Sequence, residues 1–117
     1  MSTVSAYTDI GNNVIKSLNS KHDEFSYATS RVGQQLNDIT SDMVAATAAG
    51  EGSAELKALA KTYGVDKLAA GKNVSSEAVV MAIKAQYDKR TRILTMISNI
   101  VDSIDQTLKR VIDKIGR

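Results

Sequence analysis

SSEAVVMAIKAQYDKRTRILTMISNIVDSIDQTLKRVIDKI, Ser75 to Ile115, is the stretch that decides the fold. Val80, Ile83, Tyr87, Leu94, Ile97, Val101, Ile104, Leu108, Val111 and Ile115 fall at alternating spacings of three and four, and only Arg90 interrupts the series. That is the 3.5-residue period of a helix with an apolar seam. A second row, Val79, Ile93, Ile100 and Ile112, runs beside the first, so the apolar face is broader than a two-helix contact needs. At 1.5 Å per residue, roughly 40 helical residues extend ~60 Å, too long for one small domain to cover. The simplest cover is other copies of the chain.

Composition narrows the class. At 117 residues the chain is one domain at most. Pro, Cys and Trp are absent and aromatics are 4%, which suits an extended helical chain whose contacts are small aliphatic knobs better than a compact globule. Without Cys there is no disulfide and no thiol chemistry, a composition consistent with export. The net charge of +2 is too small to argue for nucleic acid. The densest basic run, Lys89-Arg90-Thr91-Arg92, lacks interleaved aromatics and is expected to be a solvated helix turn. No run reaches the ~20 apolar residues of a membrane span. The N-terminus has neither the basic nor the apolar region of a general secretory signal peptide.

Upstream, residues 1–12 are Ser/Thr-rich and expected to be extended or frayed, with Gly11 a weak breaker. Leu18, Phe25, Val32, Ile39 and Ala46 then repeat every seven residues, with Leu36 and Met43 beside them. This predicts a helix from about Asn13 to Ala48, within a segment 13–49. Ser20-x-x-Asp23 offers a local cap where the helix could restart, and Gly33 is either a tolerated cost or a point of close helix approach. Gly50-Glu51-Gly52 breaks the helix. Ser53 is the expected N-cap of a short helix with Leu56, Leu59, Ala60 and Tyr63 on one face, closed by Gly64 in a left-handed cap. Asp66 is placed to cap a further turn ending at Gly71. Residues 50–74 thus read as a Gly-punctuated arm, expected at the surface and dispensable for assembly. The long helix occupies 75–117, with Ser75 as N-cap, Val74 and Val79 as a hydrophobic staple, and Gly116 as the stop.

Chemistry is hard to place. His22 is the only His and is expected on a helix face, because no Cys or second His exists to share a metal. Asp102, Asp105 and Asp113 alternate with Lys109 and Arg110 and read as solvated ion pairs rather than paired catalytic carboxylates. No phosphate loop, dinucleotide fingerprint, nucleophile elbow or zinc-protease motif occurs. The expectation is a non-enzyme without catalytic residues, cofactor or metal.

The segments Ser76-Glu77-Ala78-Val79, Gln86-Tyr87, Ser98-Asn99-Ile100-Val101 and Val111-Ile112-Asp113-Lys114-Ile115 resemble the needle subunits of bacterial type III secretion systems. The resemblance covers about a third of the chain. It departs in the enlarged, Pro-free loop and in length, and the length looks more like the inner-rod subunits of the same machines or a filament protein with a small surface-displayed arm. The resemblance implies a self-assembling tube subunit, exported without a cleavable signal peptide to the bacterial cell surface or medium, with residues 1–12 as the secretion signal. It implies as partners further copies of the chain, other components of the machine and the proteins it transports. The subunit interface would be built by Val80, Ile83, Tyr87, Leu94, Ile97, Ile100, Val101, Ile104, Leu108, Val111, Ile112 and Ile115. Lys109, Arg110 and Lys114 would be the polar groups facing the lumen.

The sequence therefore predicts an all-α, elongated helix-loop-helix hairpin with a short extra helix in the loop, polymerising into a hollow helical filament. Three alternatives stand beside a needle: an inner rod or other extracellular filament, a small coiled-coil adaptor or secretion chaperone, and a helical protein that binds nucleic acid or a membrane surface through Lys89, Arg90 and Arg92.

Overall fold

The computed structural model describes residues 3–67 and 73–115, with side chains from Thr8 onward. It is an all-α helix-loop-helix hairpin with a short helix in the loop: α1 (Thr3–Ala48), α2 (Ala54–Thr62) and α3 (Ser76–Ile115). Among the described residues there is no strand.

The caps follow the residue types. The Ser53 side chain accepts from the Leu56 N–H and starts α2, with Glu55 in the first turn where the helix dipole favours a carboxylate. At the other end of α2, the Val65 N–H donates to the Ala60 carbonyl and the Gly64 N–H to the Lys61 carbonyl, a Schellman pair. It needs a left-handed residue, and Gly64 supplies it with φ +74°. Ser75 Oγ accepts from the Ala78 N–H at the start of α3. Its neighbour Ser76 donates to the Ala46 carbonyl at 2.8 Å, so one serine caps α3 while the next satisfies an orphan carbonyl at the end of α1. The break between α1 and α2 is a turn in which the Ser53 N–H reaches the Gly50 carbonyl, with Gly52 at φ +79° in the position that a type II turn reserves for glycine.

Several expectations change. The helix starts at Thr3, ten residues before the predicted Asn13, so residues 3–12 are helical rather than extended. Ile10 and Val14 continue the α1 stripe one turn at a time, and Gly11 is there for contact rather than as a breaker: a Cβ at that position would collide with the Ile115 side chain of α3. Ser20 restarts nothing, because α1 runs uninterrupted through it. A Cβ at Gly33 meets nothing within 4 Å, so this glycine is a tolerated cost and not a point of close approach. Asp66 and Lys67 lie in a turn, and the rest of the further turn expected there lies, with Gly71 and Gly116, outside the described residues.

The chain forms two compact units. Val32–Ile93 is a three-helix unit, with the C-terminal part of α1, all of α2 and the first part of α3. Each helix gives two buried residues to its core: Ile39 and Ala46, Leu56 and Ala60, Val79 and Ile83. Met43, Leu59, Tyr63, Val65, Val74, Val80 and Tyr87 pack around them. The short helix is therefore a wall of the core and not a displayed arm. The reason is size: Leu56 fills the gap that α1 and α3 leave between their seams, and Ala60 lets α2 come close. The second unit pairs α1 up to Arg31 with α3 from Leu94, and among its described residues has two helices only.

Two outcomes are expected in urea unfolding. Gly33→Ala raises stability by up to about 1 kcal/mol, since it adds helix propensity in open space. Leu56→Ala costs about 2–5 kcal/mol as a buried cavity mutation, and replacing residues 50–74 by a flexible turn unfolds the three-helix unit instead of sparing it. Unchanged stability on losing Leu56 would mean that α2 is not part of the core.

Candidate functional site

Two surfaces remain after the core is built, one in each unit.

In the two-helix unit the apolar seams of α1 and α3 face each other without a third element. Gly11 lies against Ile115, and His22 Nε2 lies 3.2 Å from Asp105 Oδ1, which sets the antiparallel register. Ile104 alone among the described residues of this unit is buried, at 9% exposure. Leu18, Phe25, Leu94, Ile97, Val101, Leu108, Val111 and Ile115 are only half-covered. Ile10, Val14, Ile100 and Ile112 are exposed, the last at 53%. Given the pairing of residue 11 with 115, Val14 and Ile112 stand at one level of the hairpin, and both are exposed. Further along, Leu18, Ile100 and Ile104 line a shallow depression of about 300 Å³ with Asn99, Ser103 and Thr107 at its rim.

The residues expected at a subunit interface thus divide. Ile83 is fully enclosed in the three-helix core, with Val80 and Tyr87 packed against it. Leu94, Ile97, Val101, Leu108, Val111 and Ile115 are half-covered by the chain itself. Ile100 and Ile112 are left open. Lys109, Arg110 and Lys114 are exposed. On the outer side of α1, Tyr27 is 66% exposed, with the Arg31 guanidinium 6.0 Å from its ring centre, a cation–π pair one helical turn apart. Met96 is similarly open on α3.

His22 lies on a helix face, where its ring faces Asp105 and also approaches Ser26 Oγ at 3.5 Å and Asp23 Oδ1 at 4.0 Å. Among the described residues no group of three or more His, Cys, Asp or Glu could hold a metal ion, and no helix is long and apolar enough to cross a membrane.

The second surface is polar and lies wholly in the three-helix unit. Gln35, Asp38, Ile39 and Asp42 of α1, Lys61 to Gly64 at the end of α2, and Gln86 and Arg90 of α3 line a groove of about 580 Å³. Arg90, the one interruption of the α3 seam, is half-buried and turned into it. Its Nε donates to Gln35 Oε1 and one terminal nitrogen to Gln86 Oε1, both at 3.1 Å. Lys89 and Arg92 stay exposed, so the basic run does not form one patch. Opposite, the Tyr63 hydroxyl donates to Asp42 Oδ2 at 2.6 Å. Burial, reinforced by that hydrogen bond and the negative charge of Asp42, pushes the Tyr63 phenol up to about 12. The groove combines residues from three distant parts of the chain. Its one local signal was the polar edge Gln35, Asp38 and Asp42, at helical spacing beside the apolar stripe.

No known protein family, curated protein or solved structure matches the chain.

The Tyr63–Asp42 bond makes a pH prediction. The folded phenol holds its proton to about 12, while in the unfolded chain it ionises near 10.0. Its contribution to stability is complete below pH ~10 and falls as pH rises through the folded value, because the unfolded state loses the proton first. Tyr63→Phe should flatten that alkaline decline and cost about 1 kcal/mol or somewhat more at neutral pH, as expected for a hydrogen bond to a carboxylate. Spectrophotometric titration of the four tyrosines, compared between the two proteins, checks it. A wild-type curve without a late-ionising phenol counts against the buried pair.

Proposed function

We propose that the chain is a structural subunit of a self-assembling helical filament, of the kind that the needle or inner rod of a bacterial type III secretion system represents. One observation carries this reading. In the three-helix unit α2 closes the seam between α1 and α3, whereas none of the described residues closes the same seam in the two-helix unit, and Ile104 is the sole buried side chain described there. Two helices present a groove on each side of their contact, and a wide apolar face leaves both grooves partly wet. Further copies are the simplest cover, because each brings the same long seam. At ~25 cal/mol per Å² of apolar surface, small repeated contacts are enough when every subunit makes several. Contacts that repeat head-to-tail without closing generate a filament. The exposed pair Val14 and Ile112 is the part of the interface best placed to join successive subunits. Lys109, Arg110 and Lys114 are exposed and available to a lumen. Export without a cleavable signal, to the cell surface or medium, belongs to the same proposal and rests on the resemblance alone.

The purified chain should sediment increasingly with concentration and time and give filaments by negative-stain microscopy. Ile112→Asp should raise the critical concentration by tenfold or more, while circular dichroism stays helical and Lys114→Ala leaves assembly unchanged. A finite dimer at high concentration would instead favour the adaptor, and a monomer with a stable two-helix unit would remove the basis for any self-association.

A further inference from the structure

We propose that the groove of the three-helix unit binds a small zwitterion of the amino-acid class, with its carboxylate on Arg90 and its ammonium on Asp38 and Asp42.

Arg90 starts the argument. A half-buried guanidinium whose outer N–H groups stay open to the groove is available to an anion, its strongest kind of partner. Yet among the described residues no carboxylate lies in ion-pair range of it, and its two protein acceptors are the neutral amide oxygens of Gln35 and Gln86. Those two bonds fix the plane of the fork. The remaining guanidinium N–H groups have no protein acceptor among the described residues and lie in a groove that Lys61 also lines. A planar, pre-oriented fork of this kind suits a carboxylate, which it meets with two parallel bonds.

The α1 side of the groove decides the rest of the ligand. Asp38 is exposed there and has no ion-pair partner among the described residues. Asp42 has one oxygen occupied by Tyr63, and the other accepts no hydrogen bond from the described residues. The end of α2 adds its negative dipole on the same side. Two carboxylates oppose a free dianion such as sulfate, and two cations oppose a simple amine. A molecule that carries both charges satisfies both walls. Its volume is bounded by the groove, about 580 Å³, which is in the range of small-ligand sites. The margin of Ile39 offers an apolar contact for a side chain. The proposal is independent of self-assembly, because every residue it uses lies between Val32 and Ile93.

Equilibrium dialysis against radiolabelled L-leucine tests it in whatever assembly state the chain adopts. Saturable uptake of one molecule per chain is expected, displaced at least tenfold less effectively by acetate, methylammonium or sulfate. Arg90→Lys keeps the charge but loses the fork, and should weaken binding by about tenfold or more. Asp38→Asn, at an exposed position that leaves the core intact, should weaken it similarly. Circular dichroism confirms that both variants are folded. The proposal is overturned by absence of saturable uptake at millimolar leucine, by acetate or sulfate competing as well as leucine, or by unchanged affinity in folded Asp38→Asn.

Discussion

Six side chains, two from each helix, hold the three-helix unit together. Ile39 and Ala46, Leu56 and Ala60, and Val79 and Ile83 meet in one cluster, and each pair is one or two turns apart on its own helix. Their mixture of sizes matters. The alanines let backbones approach, and the leucine and isoleucines fill what remains, which is how helices reach interior packing density. Because α2 contributes a third of this cluster, the short helix and its caps at Ser53 and Gly64 are conditions of the fold. Ser76 adds to the same closure by tying the start of α3 to the Ala46 carbonyl.

Beside this core runs a polar layer. Arg90 occupies a seam position where an aliphatic residue would pack, and Gln35 and Gln86 receive it. A polar group in an apolar seam lowers stability but opposes slippage, because any other register leaves the guanidinium without its acceptors. Tyr63 and Asp42 make the same kind of specific contact between α2 and α1. Among the described residues no buried side-chain polar atom lacks a partner, and the groups of this layer that the protein leaves unbonded are open to solvent. The threonines within the long helices follow the same economy: Thr29, Thr40 and Thr107 each donate to the carbonyl four residues back.

The two-helix unit obeys the same seam pattern with a different outcome. Its large apolar residues keep the same helical spacing, yet most stay half-covered, since a pair of helices encloses only the line along which they touch. The proposed self-assembly rests on that contrast.

The sequence by itself determined the element types and most of their ends, the start of α1 at Thr3 excepted. Period, caps and breakers are local, so the start of α3 at Ser75, the cap of α2 at Ser53, the left-handed closure at Gly64 and the broken stretch at Gly50–Gly52 were legible. The class, an all-α hairpin with a short helix in the loop, followed from them. Which partner each apolar face would find was not legible, because periodicity names the face and not what covers it. Only tertiary structure decided that α2 belongs to the core, that Gly11 sits inside a helix against Ile115, and that Val79 and Ile100 from one row have opposite fates. The polar groove was hidden for the same reason: Gln35, Tyr63 and Arg90 come together only because three helices converge, and local spacing marks the polar edge of α1 and the Arg90 interruption of α3 without saying that they meet.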